Sequence, residues 1–159
     1  MPGPDAAAMG SKSPGVAMRT VDQILKAKPP AVHSVGPDEP ILAALRLMAE
    51  KHCGALAVMR GASLVGIFSE RDYARKVVLL NRSSADTPVS TVMTSPVTTV
   101  APTATVNECM QLMTEGHFRH LPVVSGDRVV GMLSIGDLVK AVIDDQRHQI
   151  EDLERFIRS

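Results

Sequence analysis

Apolar positions change their period several times along the chain, and each change marks an element. Val21, Ile24 and Leu25, preceded by Thr20 as a cap, predict a short helix that Pro29-Pro30 ends. Residues 31–35 read as a short strand stopped by Gly36-Pro37. From Pro40, the apolar residues Ile41, Ala44, Leu45, Met48 and Ala49 follow i, i+3, i+4 spacing, the stripe of an amphipathic helix, with Gly54 just past its end. Residues 55–59 are a nearly continuous apolar strand. A turn at Arg60-Gly61-Ala62 returns the chain through residues 63–68, which makes a hairpin. Ser69 then opens a helix through Asp72, Tyr73, Val77 and Val78, and residues 81–86 are polar and turn-rich.

The same order begins again at Pro88. Residues 88–93 match the opening helix, residues 97–100 the short strand ended by Ala101-Pro102, and Val106, Cys109, Met110 and Met113 the helical stripe. Residues 120–124 and 129–133 form a second hairpin. At a constant offset of 65, Val35, Pro37, Leu47, Met48, Glu50, His52, Leu56, Val58, Gly61, Val65, Gly66, Ser69, Asp72 and Val77 recur identically, with no insertion. That is an internal duplication. Each unit runs β-α-β-β-α and is too small to bury its sheet alone. Two units packed sheet to sheet would share a core and form clefts related by a pseudo-two-fold axis, an α+β fold.

The predicted organisation is 18–80 for the first unit, 81–87 for a linker and 88–143 for the second unit. Residues 144–159 extend its last helix. Residues 1–17, rich in Pro, Gly, Ala and Ser, are expected to be disordered or an expression remnant, Met18 being the native start in the second case. Ile150, Leu153 and Ile157, with Phe156 adjacent, form a second apolar stripe on the extension, covered by self-association or by folding back onto the subunit.

Charge narrows the function. Lys plus Arg and Asp plus Glu number 17 each, so no net field draws nucleic acid or anionic lipid. Aromatic residues are 3% with no Trp, which leaves few platforms for stacking bases. No apolar run approaches the roughly 20 residues of a membrane span. Cys53 and Cys109 lack CxxC spacing and lie on or beside apolar helical faces, so the chain reads as reduced and cytoplasmic, and a disulfide between them is disfavoured. His52, Cys53, His117 and His120 fit no metal-ligand spacing, and His52 and His117 read as helix C-caps; no metal is expected. There is no G-x-S-x-G, P-loop or HExxH, so no enzyme is expected.

Within the repeat, Gly66-Ile67-Phe68-Ser69-Glu70-Arg71-Asp72 returns as Gly131-Met132-Leu133-Ser134-Ile135-Gly136-Asp137. Ser as N-cap and Asp in the first turn satisfy orphan N–H groups and suit the helix dipole. At these residues, with the upstream Val-x-Pro turn, the chain resembles the cystathionine-β-synthase (CBS) domain pair, or Bateman module, from about Thr20 to Ile143. Residues 68–77, 110–113 and 119–123 look like the stand-alone CBS-pair proteins of bacteria and plant organelles.

The resemblance implies a non-enzymatic regulatory module whose clefts bind adenosine-containing ligands. AMP is favoured; ATP, ADP, NAD(H) and S-adenosylmethionine are open alternatives. It implies a homodimer and a separate regulated protein as partners. The implied second-repeat cleft holds Ser134 and Asp137 for phosphate and ribose, Thr99, Val100, Leu121, Pro122 and Val123 around the adenine, and Arg119 with His120 at the phosphate. The first-repeat cleft holds Ser34, Val35, Ala55, Leu56 and Ala57 with Ser69 and Asp72. Gly54-Ala55 stands there in place of Arg119-His120, so Arg71, Arg75 and Lys76 are the candidate cations. The second reading is a ligand-independent interaction scaffold.

Overall fold

The computed structural model describes residues 19–28 and 31–158. The expectations for residues 1–17 and for Pro29-Pro30 lie outside them. Helix α1 (Val21–Lys26) is followed by β1 (Ser34–Val35), α2 (Ile41–Lys51) and the hairpin β2 (Ala55–Arg60)–β3 (Ser63–Ser69). Next come α3 (Glu70–Asp72), which continues as π-helical turns over Tyr73–Val78, and the one-turn α4 (Val89–Val92). Helix α5 (Val106–Gly116), the hairpin β4 (His120–Ser125)–β5 (Arg128–Ser134) and α6 (Ile135–Arg158) complete the chain.

Both hairpins turn at a glycine with positive φ, 62° at Gly61 and 63° at Gly126, and open space surrounds each. Backbone conformation, not crowding, selects glycine there. Strand β1 pairs parallel to β2, which pairs antiparallel to β3. The short strands are shorter than the apolar runs suggest. In the first unit only Ser34 and Val35 pair, and in the second only Val100 bridges Val123. Capping boxes open the helices: Thr20 with Gln23, Ser69 with Asp72, and Thr105 with Glu108. His52 and His117 end α2 and α5 in the left-handed conformation, at φ 54° and 56°. Their caps are made by backbone N–H groups bonding the Met48 and Met113 carbonyls, a task usually given to glycine.

Two apolar cores form, and each takes a helix from the other repeat. Val21 and Ile24 of α1 pack with Val106, Cys109, Leu121, Leu133 and Leu138 of the second unit. Val89 and Val92 of α4 pack with Ile41, Met48, Leu56 and Phe68 of the first. Backbone bonds clasp the exchange. Val21 N–H donates to Ala104 O at 2.8 Å and Val106 N–H to Arg19 O at 3.0 Å, while Val89 N–H donates to Glu39 O at 2.8 Å and Ile41 N–H to Thr87 O at 2.9 Å. Cys53 and Cys109 are unpaired and belong to different cores. Among the described residues no helix is long and apolar enough to cross a membrane.

Candidate functional site

The end of β3 and the start of α3 project Ser69 and Asp72 toward the segment that follows α4. Ile67 and Thr94 exchange backbone hydrogen bonds at 3.0 and 2.8 Å, which brings residues 94–98 alongside. The result is a cavity of about 730 Å³ between the two repeats. The wall from the first repeat carries Ser69, Glu70, Arg71, Asp72, Arg75 and Lys76. The wall from the second repeat carries Thr94, Pro96, Val97, Thr98, His117, Phe118, Arg119 and His120. A cavity of this size suits a small organic ligand.

Asp72 is 7% exposed, the one charged residue buried among those described, and its carboxylate is fully engaged. Oδ2 accepts from the Ser69 backbone N–H and hydroxyl, each at 3.0 Å. Oδ1 accepts from the Thr94 hydroxyl at 2.9 Å and faces Lys76 Nζ at 3.0 Å. The Lys76 ammonium also donates to the Val92 carbonyl at 3.2 Å. Arg71 donates to the His117 carbonyl, joining the two walls. The cations therefore line a cavity whose floor holds a carboxylate already paired on both oxygens.

His120 sits beside this arrangement at the start of β4. A side chain at Gly54 would lie 3.0 Å from Glu70 Oε1 and 3.4 Å from His120 Nε2, so this glycine permits their approach. Burial pushes the His120 imidazole below its ordinary range, against the opposing pull of Glu70 and Asp137. In the unligated protein it is thus mainly neutral near pH 7, a hydrogen-bonding group more than a cation.

The second Ser/Asp pair is arranged differently. Asp137 accepts from the Ser134 N–H at 2.9 Å and from Lys28 Nζ at 2.8 Å. Lys28 also donates to the Met132 carbonyl at 3.1 Å. Burial raises the Asp137 carboxyl, but the Lys28 ammonium and Ser134 outweigh it and leave the group below its ordinary range. Where α3 supplies Lys76 to its own aspartate, α6 has Ala141, and the segment after α1 supplies the cation instead.

These positions regroup the residues expected from the sequence. Ser69, Arg71, Asp72, Arg75 and Lys76 line one cavity, and they share it with Arg119 and His120, which the sequence reading assigned to Asp137. Ser134 and Asp137 do not line it. Val35, Ala55, Leu56 and Ala57 are buried at 5%, 4%, 0% and 0% exposure, and Val100, Leu121, Pro122 and Val123 are also buried. Ser34 and Thr99 are exposed and lie outside the cavity lining. Val35 and Leu56 point into one core and Val100, Leu121 and Val123 into the other, whereas Ala55, Ala57 and Pro122 are buried outside both; Thr94, Pro96, Val97, Thr98 and Phe118 line the cavity.

Sequence reasoning missed Thr94, Thr98, Phe118, Glu70 and Lys28. Thr94 carried a usable signal, since it lies between two repeats and close in sequence to α4. Lys28 carried none, being 109 positions from its partner. Among the described residues no group of three or more His, Cys, Asp or Glu side chains could hold a metal.

Comparison with known proteins agrees with this architecture. The CBS domain family model matches residues 21–79 and 89–144. A mitochondrial CBS domain-containing protein of Arabidopsis thaliana is 38% identical over 126 residues, covering 76% of this chain and 61% of its own length. The chain thus spans less than two thirds of that relative. The structure of a candidate signal-transduction protein with CBS domains from Burkholderia ambifaria superposes with TM-score 0.78 at 52% identity, covering 80% of this chain and 96% of that one. A CBS domain protein from Pyrobaculum aerophilum, complexed with AMP, superposes with TM-score 0.67 at 27% identity over 75% of this chain and 89% of that one.

Proposed function

The chain belongs to the CBS-domain family, and from that premise we propose that it is a non-enzymatic regulatory module that binds an adenine nucleotide, with AMP favoured, between its repeats. The observation that carries this reading is the convergence of Ser69, Asp72, Arg71, Arg75, Lys76 and Arg119 on one cavity. A nucleotide needs an acceptor for its ribose hydroxyls and cations for its phosphate, and these residues supply both. The AMP complex of the Pyrobaculum protein supports the ligand class. The family supports the regulatory role.

Binding would exchange partners at Asp72. The ribose hydroxyls displace Thr94 and Lys76 from Oδ1, and the freed Lys76 ammonium joins Arg71, Arg75 and Arg119 around the phosphate. Thr94 follows α4, and α4 packs in the first core, so the exchange reaches the contact between the repeats. A ligand that favours one arrangement of the repeats shifts the population toward it and alters what a separate cytoplasmic partner meets.

The test is a thermal-shift panel of AMP, ADP, ATP, NAD⁺, NADH and S-adenosylmethionine on protein stripped of ligand. At a free concentration about 100 times Kd, one site adds roughly 2.7 kcal/mol, a readily visible shift. A shift for one or two of these ligands names what is sensed. A flat panel refutes nucleotide sensing and favours the interaction scaffold.

A further inference from the structure

The two Ser/Asp pairs are closed by different donors. At the first, the Thr94 hydroxyl donates to Asp72 at 2.9 Å and the Thr94 N–H to the Ile67 carbonyl at 2.8 Å. At the repeat offset of 65, the counterpart of Thr94 is Pro29, which has neither an N–H nor a hydroxyl. Its neighbour Lys28 performs both tasks with one ammonium. Nζ donates to Asp137 Oδ2 at 2.8 Å and, at 3.1 Å, to the carbonyl of Met132, the counterpart of Ile67.

Lys28 is anchored for this role. Its own N–H donates to the Leu25 carbonyl at 3.4 Å, and Val21 and Ile24 fix α1 in the second core. A Cβ at Gly131 would lie 2.6 Å from a Leu25 methyl carbon, so α1 rests directly on the backbone of β5. A donor tethered in this way acts at a high effective concentration. Its charge makes the bond to a carboxylate roughly twice as strong as that of a neutral hydroxyl. The hydroxyls of a free ribose have neither advantage.

The first pair also carries a lysine, but one with somewhere to go. Lys76 lines the cavity with Arg71, Arg75 and Arg119, so on leaving Asp72 it gains the phosphate of a ligand. The counterparts of Arg71, Lys76 and Arg119 are Gly136, Ala141 and Gly54, which leaves Lys140, the counterpart of Arg75, as one cation of four. Lys28, on leaving Asp137, would give up the Met132 carbonyl as well and meet no such cluster.

We propose that Lys28 is a tethered plug that closes the second Ser/Asp pair to ligands, so that each chain takes one nucleotide despite its two acceptor aspartates. The proposal rests on the nucleotide reading of the first cavity and adds the residue that sets the count. With one cation in place of four, a vacated second pair suits a nucleoside without phosphate, its ribose hydroxyls donating to Asp137.

Equilibrium dialysis of the full chain against AMP and adenosine together, each separately labelled, tests this. The unaltered protein should hold one molecule per chain, counting both ligands. Lys28→Ala should hold two, and Lys28→Arg, which keeps a tethered cation, should hold one. Adding Asp137→Asn to Lys28→Ala should weaken the second molecule tenfold or more, an effect that a purely structural role for Lys28 does not produce. Melting without ligand confirms that the variants fold, as expected for a half-buried side chain just past a helix end.

Two molecules on the unaltered protein overturn the plug without recourse to any variant. One molecule on a folded Lys28→Ala protein overturns it too, and so does a second molecule indifferent to Asp137→Asn; in each case AMP binding in the first cavity still stands. AMP held by neither protein overturns the nucleotide reading itself, and the plug with it.

Discussion

Replacing Asp72 with Asn tests the ligand reading where the structure commits itself most. The change keeps the volume and one acceptor oxygen, so the capping of α3 by Ser69 and residue 72 is largely retained. What is lost is the negative charge that Lys76 faces at 3.0 Å and that would accept from the ribose. A hydrogen bond to a charged group contributes about 1.5–3 kcal/mol. At about 1.4 kcal/mol per decade, AMP affinity should fall roughly 10- to 150-fold. Calorimetry with AMP measures the loss, and a melt without ligand separates it from instability. The unligated protein loses less than this sum, because the Lys76 side chain is 41% exposed and the ion pair is partly screened by solvent. AMP affinity unchanged within twofold in a folded Asp72→Asn protein would refute the assignment of this carboxylate to the ligand.

Two further predictions concern titration. His120 has a depressed folded pKa, so between that value and 6.5 the unfolded chain binds more protons than the folded one. Its contribution to stability is complete above 6.5 and declines as pH falls through that window; His120→Gln should flatten this part of a stability-against-pH profile from urea unfolding, and an unaltered slope would count against a half-buried neutral imidazole. Asp137 is also depressed, so its contribution is present above 3.8 and is lost as pH falls through its folded value. Lys28→Met removes the ammonium 2.8 Å away, leaving burial opposed by the Ser134 hydrogen bonds alone. The Asp137 carboxyl carbon should then titrate at higher pH by NMR, and an unmoved midpoint would show that Lys28 does not hold it.

Local elements were legible in the sequence because local chemistry decides them. Thr20, Ser69 and Thr105 cap helices by reaching backbone N–H groups three residues on, a relation visible in the spacing alone. The hairpins followed from apolar runs flanking a glycine turn. The strand side chains Leu56, Leu121 and Val123 were harder to place. Their apolar character showed that they would be buried, but it did not distinguish a ligand cleft from a core, and all three are at 0% exposure.

The sequence by itself determined the duplication, the α+β order of each unit and the recurrence of a Ser/Asp pair where a strand meets a helix. Only the tertiary structure decided which copy meets which. A constant offset of 65 makes the two repeats locally equivalent, so the pattern reads the same whether a helix packs on its own unit or on the other. The apolar faces of α1 and α4 are covered by the opposite core, and the backbone bonds at Ala104 and Glu39 hold them there. That exchange sets residues 94–98 against Asp72 and Lys28 against Asp137, and the packing of the units brings Arg119 to the first Ser/Asp pair. Spacing along a chain encodes which residues share a face; the distances between faces arise only when the cores close.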